Sequence, residues 1–124
     1  MFNPLTFVAL DTADVAAVRQ VLGPLKRDGI YLTRPGLVLE TSWLGDDARD
    51  VYATAWAWGA DDAALFYALA ARGRLLVTPA RGAVDIVVCG RIHSRQEVDN
   101  GIDSFAFADS PEQLRELIGP PSCA

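Results

Sequence analysis

The sequence predicts an α+β fold in which a mostly antiparallel sheet carries about three helices packed on one face. Apolar runs and helical patterns alternate in the order β-α-β-β-β-α-β-β-β-α, so hairpins outnumber crossovers. Each of the three helical stretches also has residues at its ends that favour a helix terminus. With 124 residues, the chain fits a single α+β domain over residues 1–124, with 119–124 as a short C-terminal tail.

The first strand and helix follow from a change in hydrophobic spacing. Pro4–Leu10 is a short apolar run that predicts a strand. From Thr12 onward the apolar residues recur at helical spacing, until Gly23 and Pro24 end the helix.

The middle of the chain predicts a hairpin and a third strand. Gly29–Thr33 and Leu37–Trp43 flank a connection whose Pro35 and Gly36 favour a tight turn. The strict alternation in Asp50–Gly59 favours a strand, whereas its alanines favour a helix, and we predict a strand. That strand would put four residues on one face: Tyr52, Thr54, Trp56 and Trp58.

The C-terminal half predicts two helices and three strands. Asp61 or Asp62 caps a helix over Ala63–Arg72, and Ser110 caps a second helix that begins at a proline. The remaining predicted elements are the strands Leu75–Thr78, Val84–Ile92 and Ile102–Ala108 and the helix Pro111–Ile118.

The charge balance is acidic and narrows the classes of partner. Sixteen acidic side chains against eleven basic ones give a formal charge of −5, which favours cationic partners and opposes nucleic-acid binding. The uncharged stretch Val51–Ala60 is too short to span a membrane, and the first ten residues lack a signal-peptide pattern. Cys89 and Cys123 form neither a disulfide framework nor a zinc spacing, so we expect a cytoplasmic protein without a metal or cofactor.

The stretch Arg91–Asp99 contains charged residues at alternate positions, which we call the candidate catalytic row. If the stretch is extended, His93, Arg91, Arg95 and Glu97 project to one side. The histidine is then a candidate general base, and the arginines would hold an anion. The same alternation of charges is typical of a solvated edge strand. Both interpretations remain open at this point, and no nucleotide-binding, zinc or nucleophile-elbow motif decides between them.

A second group of residues suits binding to a protein. Five aspartates would attract a basic partner, although helix capping explains two of them and their spacing is wrong for a calcium loop. Two tryptophans would anchor an interface or pack in the core. The candidate partner-binding residues are Asp46, Asp47, Asp50, Trp56, Trp58, Asp61 and Asp62.

The leading functional hypothesis is a non-enzymatic acidic protein that binds a basic protein. Its concrete form is a bacterial immunity protein that neutralises a toxin, for example a nuclease, by covering the toxin's basic cleft. The bacterial assignment comes from a composition rich in alanine and arginine, with Lys26 as the single lysine. The alternatives are a small enzyme or ligand-binding domain that uses His93, and an oligomeric structural module.

Overall fold

The computed structural model describes residues 2–41, 52–94 and 104–122. Its strands are β1 (Leu5–Ala9), β2 (Lys26–Asp28), β3 (Tyr31–Arg34), β4 (Leu37–Thr41), β5 (Tyr52–Ala57), β6 (Leu75–Pro79), β7 (Ile86–Cys89) and β8 (Phe105–Ala108). Its helices are α1 (Val15–Leu22), α2 (Ala63–Gly73) and α3 (Pro111–Leu117), with a 3₁₀ turn at Ala60–Asp62 before α2.

The strands form one sheet in the order β2-β3-β4-β5-β1-β6-β7-β8. Every neighbouring pair is antiparallel except β7 and β8, which are parallel. This arrangement confirms the predicted α+β class with a mostly antiparallel sheet.

The three helices pack on one face of the sheet, which we call the helix-covered face. Alternate residues of the strands point to this face and form one core with apolar residues of all three helices. The largest fully buried members are Leu5, Phe7, Leu37, Leu39, Leu75 and Val77 from strands and Val18, Phe66, Leu69 and Leu114 from helices.

The predicted hairpin is confirmed, and the ambiguous segment is a strand. Arg34 pairs with Leu37 across a turn made of Pro35 and Gly36. Gly36 has a φ of +80°, a backbone conformation that favours glycine. Within Asp50–Gly59, residues Tyr52–Ala57 form β5.

Two strand predictions need correction. β2 was not predicted, because its three residues are polar and exposed and show no apolar alternation. The strand predicted over Val84–Ile92 is shorter, and it ends where Gly90 and Arg91 take φ values of +70° and +57°. Two consecutive left-handed residues cannot continue an extended strand.

The C-terminal segment packs against β5 as far as Ser122, whereas the sequence predicts a short tail from residue 119. The Ser122 hydroxyl donates a hydrogen bond of 2.8 Å to the Trp56 carbonyl oxygen. The backbone N–H of Trp58 donates a hydrogen bond of 3.0 Å to the Ser122 carbonyl oxygen. Ser122 is therefore buried, and the segment belongs to the packed structure.

Candidate protein-binding face

The sheet is also largely apolar on the side opposite the helices, which we call the open face. Strand alternation sends a second set of residues to this side. By register its members on β3 to β5 are Tyr31, Thr33, Val38, Glu40, Tyr52, Thr54 and Trp56, and on β1 and β6 to β8 they are Thr6, Val8, Leu76, Thr78, Ile86, Val88, Phe105 and Phe107. No helix among the described residues packs on this face.

The open face differs between its two ends. At the β6 to β8 end, Leu76 and Val88 are buried beneath partly buried neighbours that include Ile92 and Phe107. At the β3 to β5 end, the large side chains are exposed. Judged on the described residues, this second end is therefore the accessible part of the open face.

Four aromatic side chains form what we call the aromatic patch: Phe2, Tyr31, Tyr52 and Trp56. Their exposed fractions are 54%, 42%, 42% and 37%. The rings of Phe2 and Trp56 stack with their centroids 6.0 Å apart. Exposed aromatic residues grouped on one face of a sheet are typical of protein interfaces.

A β-bulge in β5 separates the two tryptophans that the sequence placed on one face. Val38 pairs with Ala57 and Leu39 pairs with Ala55, so Trp56 is an extra residue on its strand. The bulge breaks the period of two. As a result Trp56 lies on the open face, whereas Trp58 is only 2% exposed.

Trp58 is therefore a core residue in the structure and not part of an exposed binding surface. Its indole N–H donates a 2.8 Å hydrogen bond to the Asn3 carbonyl oxygen. Its ring packs edge-on against Phe66, with the centroids 5.8 Å apart. These contacts give Trp58 a structural role.

The patch surrounds one carboxylate, Glu40, which sequence reasoning did not select. The Trp56 indole N–H donates a hydrogen bond of 3.1 Å to Glu40 Oε1. Tyr31 lies directly opposite Glu40 on β3, and Asp28 lies opposite Tyr31 on β2. Two carboxylates thus flank Tyr31 on the same face, because directly paired residues of antiparallel strands point to the same side.

The predicted aspartate cluster is divided by the structure. Asp61 is exposed in the turn before α2, whereas Asp62 is 6% exposed and is not available to a partner. Asp62 Oδ1 forms an ion pair with Arg34, and its Oδ2 accepts a 2.8 Å hydrogen bond from the Gly59 N–H. Asp62 therefore joins the β3–β4 hairpin to the start of α2, and its side chain does not cap that helix. Asp46, Asp47 and Asp50 lie outside the described residues.

The described part of the candidate catalytic row is not an extended strand. Arg91 lies in a turn and forms a bidentate ion pair with Asp109, with nitrogen–oxygen distances of 3.0 and 3.1 Å. Its guanidinium also lies 4.7 Å from the centre of the Phe107 ring. His93 is buried, at 2% exposure, whereas Arg91 is exposed. Arg95 and Glu97 lie outside the described residues.

Two exposed carboxylates, those of Asp11 and Asp109, are stabilised in their ionised form by nearby groups. The Thr12 N–H hydrogen bond lowers the pKa of Asp11, and the positive charge of Arg74 lowers it further. The hydrogen bonds from Arg91 lower the pKa of Asp109. These pairings are typical of surface ion pairs. They also mean that an anionic ligand would have to compete with Asp109 for Arg91.

In the part of the chain that the structure describes, no group of three or more histidine, cysteine, aspartate or glutamate side chains is placed to hold a metal ion. Within the same residues, no helix has the length and apolar composition needed to cross a bilayer.

Comparison with known proteins gives no relative: no protein-family model, curated protein or solved structure matches this chain.

Part of the candidate site could have been found from the sequence. The sequence predicts Trp56 as an aromatic anchor and places Tyr52 on the same strand face. It does not single out Glu40 or Tyr31, because their proximity depends on the pairing between strands. The signal available for them is the alternation in β3 and β4, in which both residues neighbour buried leucines.

Proposed function

We propose that this chain is a non-enzymatic protein that binds a basic partner protein through the aromatic patch of its open face. The observation that carries the proposal is an apolar, aromatic sheet face that no described helix covers. A sheet with apolar side chains on both faces normally has a second layer packed against it. In this proposal the partner supplies that layer.

The acidic charge of the molecule supports a basic partner. The formal charge is −5 over 124 residues. Long-range attraction to a positively charged protein speeds association, whereas buried aromatic contacts slow dissociation. The aromatic patch, with Glu40 inside it, has both properties.

The edge of the sheet supports binding through the face. The edge strand β2 has an exposed lysine, arginine and aspartate in succession. Charged residues on a short edge strand oppose the addition of another strand. A partner is therefore better accommodated on the face than at the β2 edge.

In its specific form, the proposal is a cytoplasmic bacterial immunity protein that neutralises a toxin, for example a nuclease. A nuclease has a cationic cleft for its substrate phosphates, and an acidic protein seated over the cleft would exclude the substrate. The support for this form is the acidic charge together with the exposed aromatic patch.

Affinity capture followed by re-binding tests the proposal. The full chain would be used to capture proteins from an extract of the organism that encodes it. Each captured protein would then be purified and measured against the wild type, Trp56→Ala and Gln20→Ala chains. Gln20 is the control, because it is exposed and lies on α1, at the helix-covered face and away from the patch. We expect a basic protein whose dissociation is faster with Trp56→Ala and unchanged with Gln20→Ala.

Co-expression tests the specific form. If the captured protein stops growth of a heterologous bacterium, the wild-type chain should restore growth and Trp56→Ala should restore it less. Equal binding of the partner by all three chains would assign the interface to another surface. A catalytic turnover lost in His93→Ala, with no dependence on Trp56, would support the enzyme alternative instead.

A further inference from the structure

We infer that the open face contains a subsite for one cationic side chain, an arginine or lysine of the partner protein, centred on Glu40 between Tyr31 and Trp56. This inference rests on the proposed function, because it names the group that the partner presents to the aromatic patch. It is carried by three observations: an oriented carboxylate, two neighbouring aromatic side chains, and the local excess of negative charge.

The Glu40 carboxylate is held in place by its neighbour. The Trp56 indole N–H donates to Oε1 at 3.1 Å. A carboxylate accepts up to about four hydrogen bonds, so this contact orients the group and leaves further capacity for a donor. Among the described residues, no basic side chain forms an ion pair with Glu40. An incoming guanidinium or ammonium would therefore meet a carboxylate whose position is already set.

The aromatic neighbours favour a cation at the same point. Tyr31 is the direct cross-strand partner of Glu40, and Trp56 contacts it through the indole hydrogen bond. The π-face of an aromatic ring attracts a cation, so the Tyr31 ring beside Glu40 favours a cation there. The Trp56 ring meets Glu40 through its N–H edge and stacks on Phe2, so its exposed surface would contact the aliphatic stem of the bound side chain.

The charges around the subsite select the sign of the ligand. Asp28, opposite Tyr31, adds a second carboxylate on the same face. Among the described residues, Lys26 is the basic side chain at this end of the face, opposite Thr33, since the exposed Arg27 lies opposite Leu32 and so points to the other side of the sheet. Asp28 and Glu40 thus exceed Lys26 by one negative charge on this face. The whole chain is also negative, so a second copy of this chain or an acidic partner would meet repulsion.

A small cationic probe tests the subsite without the partner. The probe is N-acetyl-arginine methylamide, and its control is the citrulline counterpart, which has nearly the same shape and no charge. Both would be titrated into the full ¹⁵N-labelled chain while the indole N–H signals are followed by NMR. We expect the arginine probe to shift the Trp56 indole signal and to leave that of the buried Trp58 unchanged. The citrulline probe should shift neither signal.

Glu40→Gln keeps the size of the side chain and removes its charge. We expect it to weaken the arginine response of Trp56 by about tenfold in Kd. Glu116→Gln, an exposed glutamate on α3, is the matched control and should respond like the wild type. The remaining backbone signals of each variant report whether its fold is retained.

The outcomes separate the subsite from the proposed function. If the indole N–H chemical shift of Trp56 does not change, or changes equally with the arginine and citrulline probes, the cation subsite is overturned. The binding role of the face would still stand if Trp56→Ala releases the captured partner faster. A dimer in sedimentation experiments that Trp56→Ala dissociates would also overturn the subsite, because a second copy would then occupy the patch.

Discussion

Asn3, just before β1, is fully buried and links that strand to the segment after α3. Its side-chain amide donates hydrogen bonds of 2.9 and 2.7 Å to the carbonyl oxygens of Ile118 and Pro120. Its Oδ1 accepts a 2.8 Å hydrogen bond from the Arg81 N–H. The amide N–H groups and the amide oxygen are thus both hydrogen-bonded, and the backbone oxygen of Asn3 accepts a hydrogen bond from the Trp58 indole N–H.

Asn3→Ala should therefore lower the free energy of unfolding by about 3 kcal/mol, because it leaves buried backbone groups without partners. Asn3→Asp should be at least as damaging near neutral pH, since it places a carboxylate oxygen against two carbonyl oxygens. Urea denaturation followed by circular dichroism measures both changes. Gln20→Ala, an exposed amide on α1, is the control and should stay within about 0.5 kcal/mol of the wild type. Equal stability of Asn3→Ala and the control would contradict this role for Asn3.

Cys89 is a buried thiol at the end of β7, with no exposed surface. Burial raises the pKa of this thiol to about 12. Because the thiolate is the reactive form, a raised pKa and lack of access both slow reaction with thiol reagents. We therefore expect Cys89 to be inert in the folded protein.

Thiol labelling of a Cys123→Ser variant checks this expectation, because Cys89 is then the only cysteine in the chain. Labelling should be negligible in native buffer and should become fast through the urea unfolding transition. In the wild type, the sequence predicts that Cys123 is exposed and reacts quickly. Rapid native labelling of the variant would show that β7 opens without global unfolding.

At the scale of single elements, α3 has the clearest cap. The Ser110 hydroxyl accepts a hydrogen bond of 3.2 Å from the Gln113 N–H, and Pro111 occupies the first helical position. This confirms the predicted N-cap. The Gln113 side chain reaches back to the Asp109 N–H at 2.7 Å, one residue before the cap.

Ser110→Ala should lower stability by about 1 kcal/mol, because an N-terminal N–H of the helix loses its acceptor. Ser110→Asp should restore most of that loss, since aspartate also caps and its charge favours the helix N-terminus. Urea midpoints of the three proteins give the comparison. If Ser110→Ala leaves the midpoint unchanged, the cap contributes nothing to stability.

Elements specified by adjacent residues were predictable from the sequence. The Pro35–Gly36 turn and the Ser110–Pro111 helix start each depend on a few neighbouring residues with strong backbone preferences. β1, α1 and α2 were found from hydrophobic spacing. In these segments local preference and tertiary structure agree.

Features that depend on pairing between distant strands were not predictable. The bulge in β5 arises from its register with β4, and only that register explains why Trp58 turns inward while Trp56 stays outside. β2 forms because it pairs with β3, although its residues Lys26–Asp28 have no strand preference of their own. The same limit applies to the site, since Glu40 meets Trp56 only after β4 and β5 have paired.

At the scale of the whole molecule, the sheet carries apolar side chains on both of its faces. Three helices cover one face, and the open face retains exposed aromatic residues at its β3 to β5 end. Burial of such aromatic surface favours a packed second layer. This uneven cover is the structural basis of the partner that we propose, and the acidic charge of the chain is the reason why the proposed partner is basic.

If charge speeds association and aromatic contacts slow dissociation, the two rate constants of the complex should depend differently on ionic strength. Raising ionic strength should slow association more than it speeds dissociation, because salt screens long-range attraction before it disturbs packed contacts. Charge reversal at pairs of Asp46, Asp47, Asp50 and Asp61 should likewise reduce the association rate.

Stopped-flow or surface-binding kinetics with the captured partner measures both rates. Trp56→Ala should mainly raise the dissociation rate, as loss of a central aromatic contact does. Asp62 is unsuitable for reversal, because it is buried and paired with Arg34, so its loss would disturb the fold. Gln20→Ala, an exposed position on α1 at the helix-covered face, is the control and should leave both rates unchanged. An association rate that does not change with salt, together with unaltered kinetics in the aspartate reversals, would show that the acidic surface does not guide the partner.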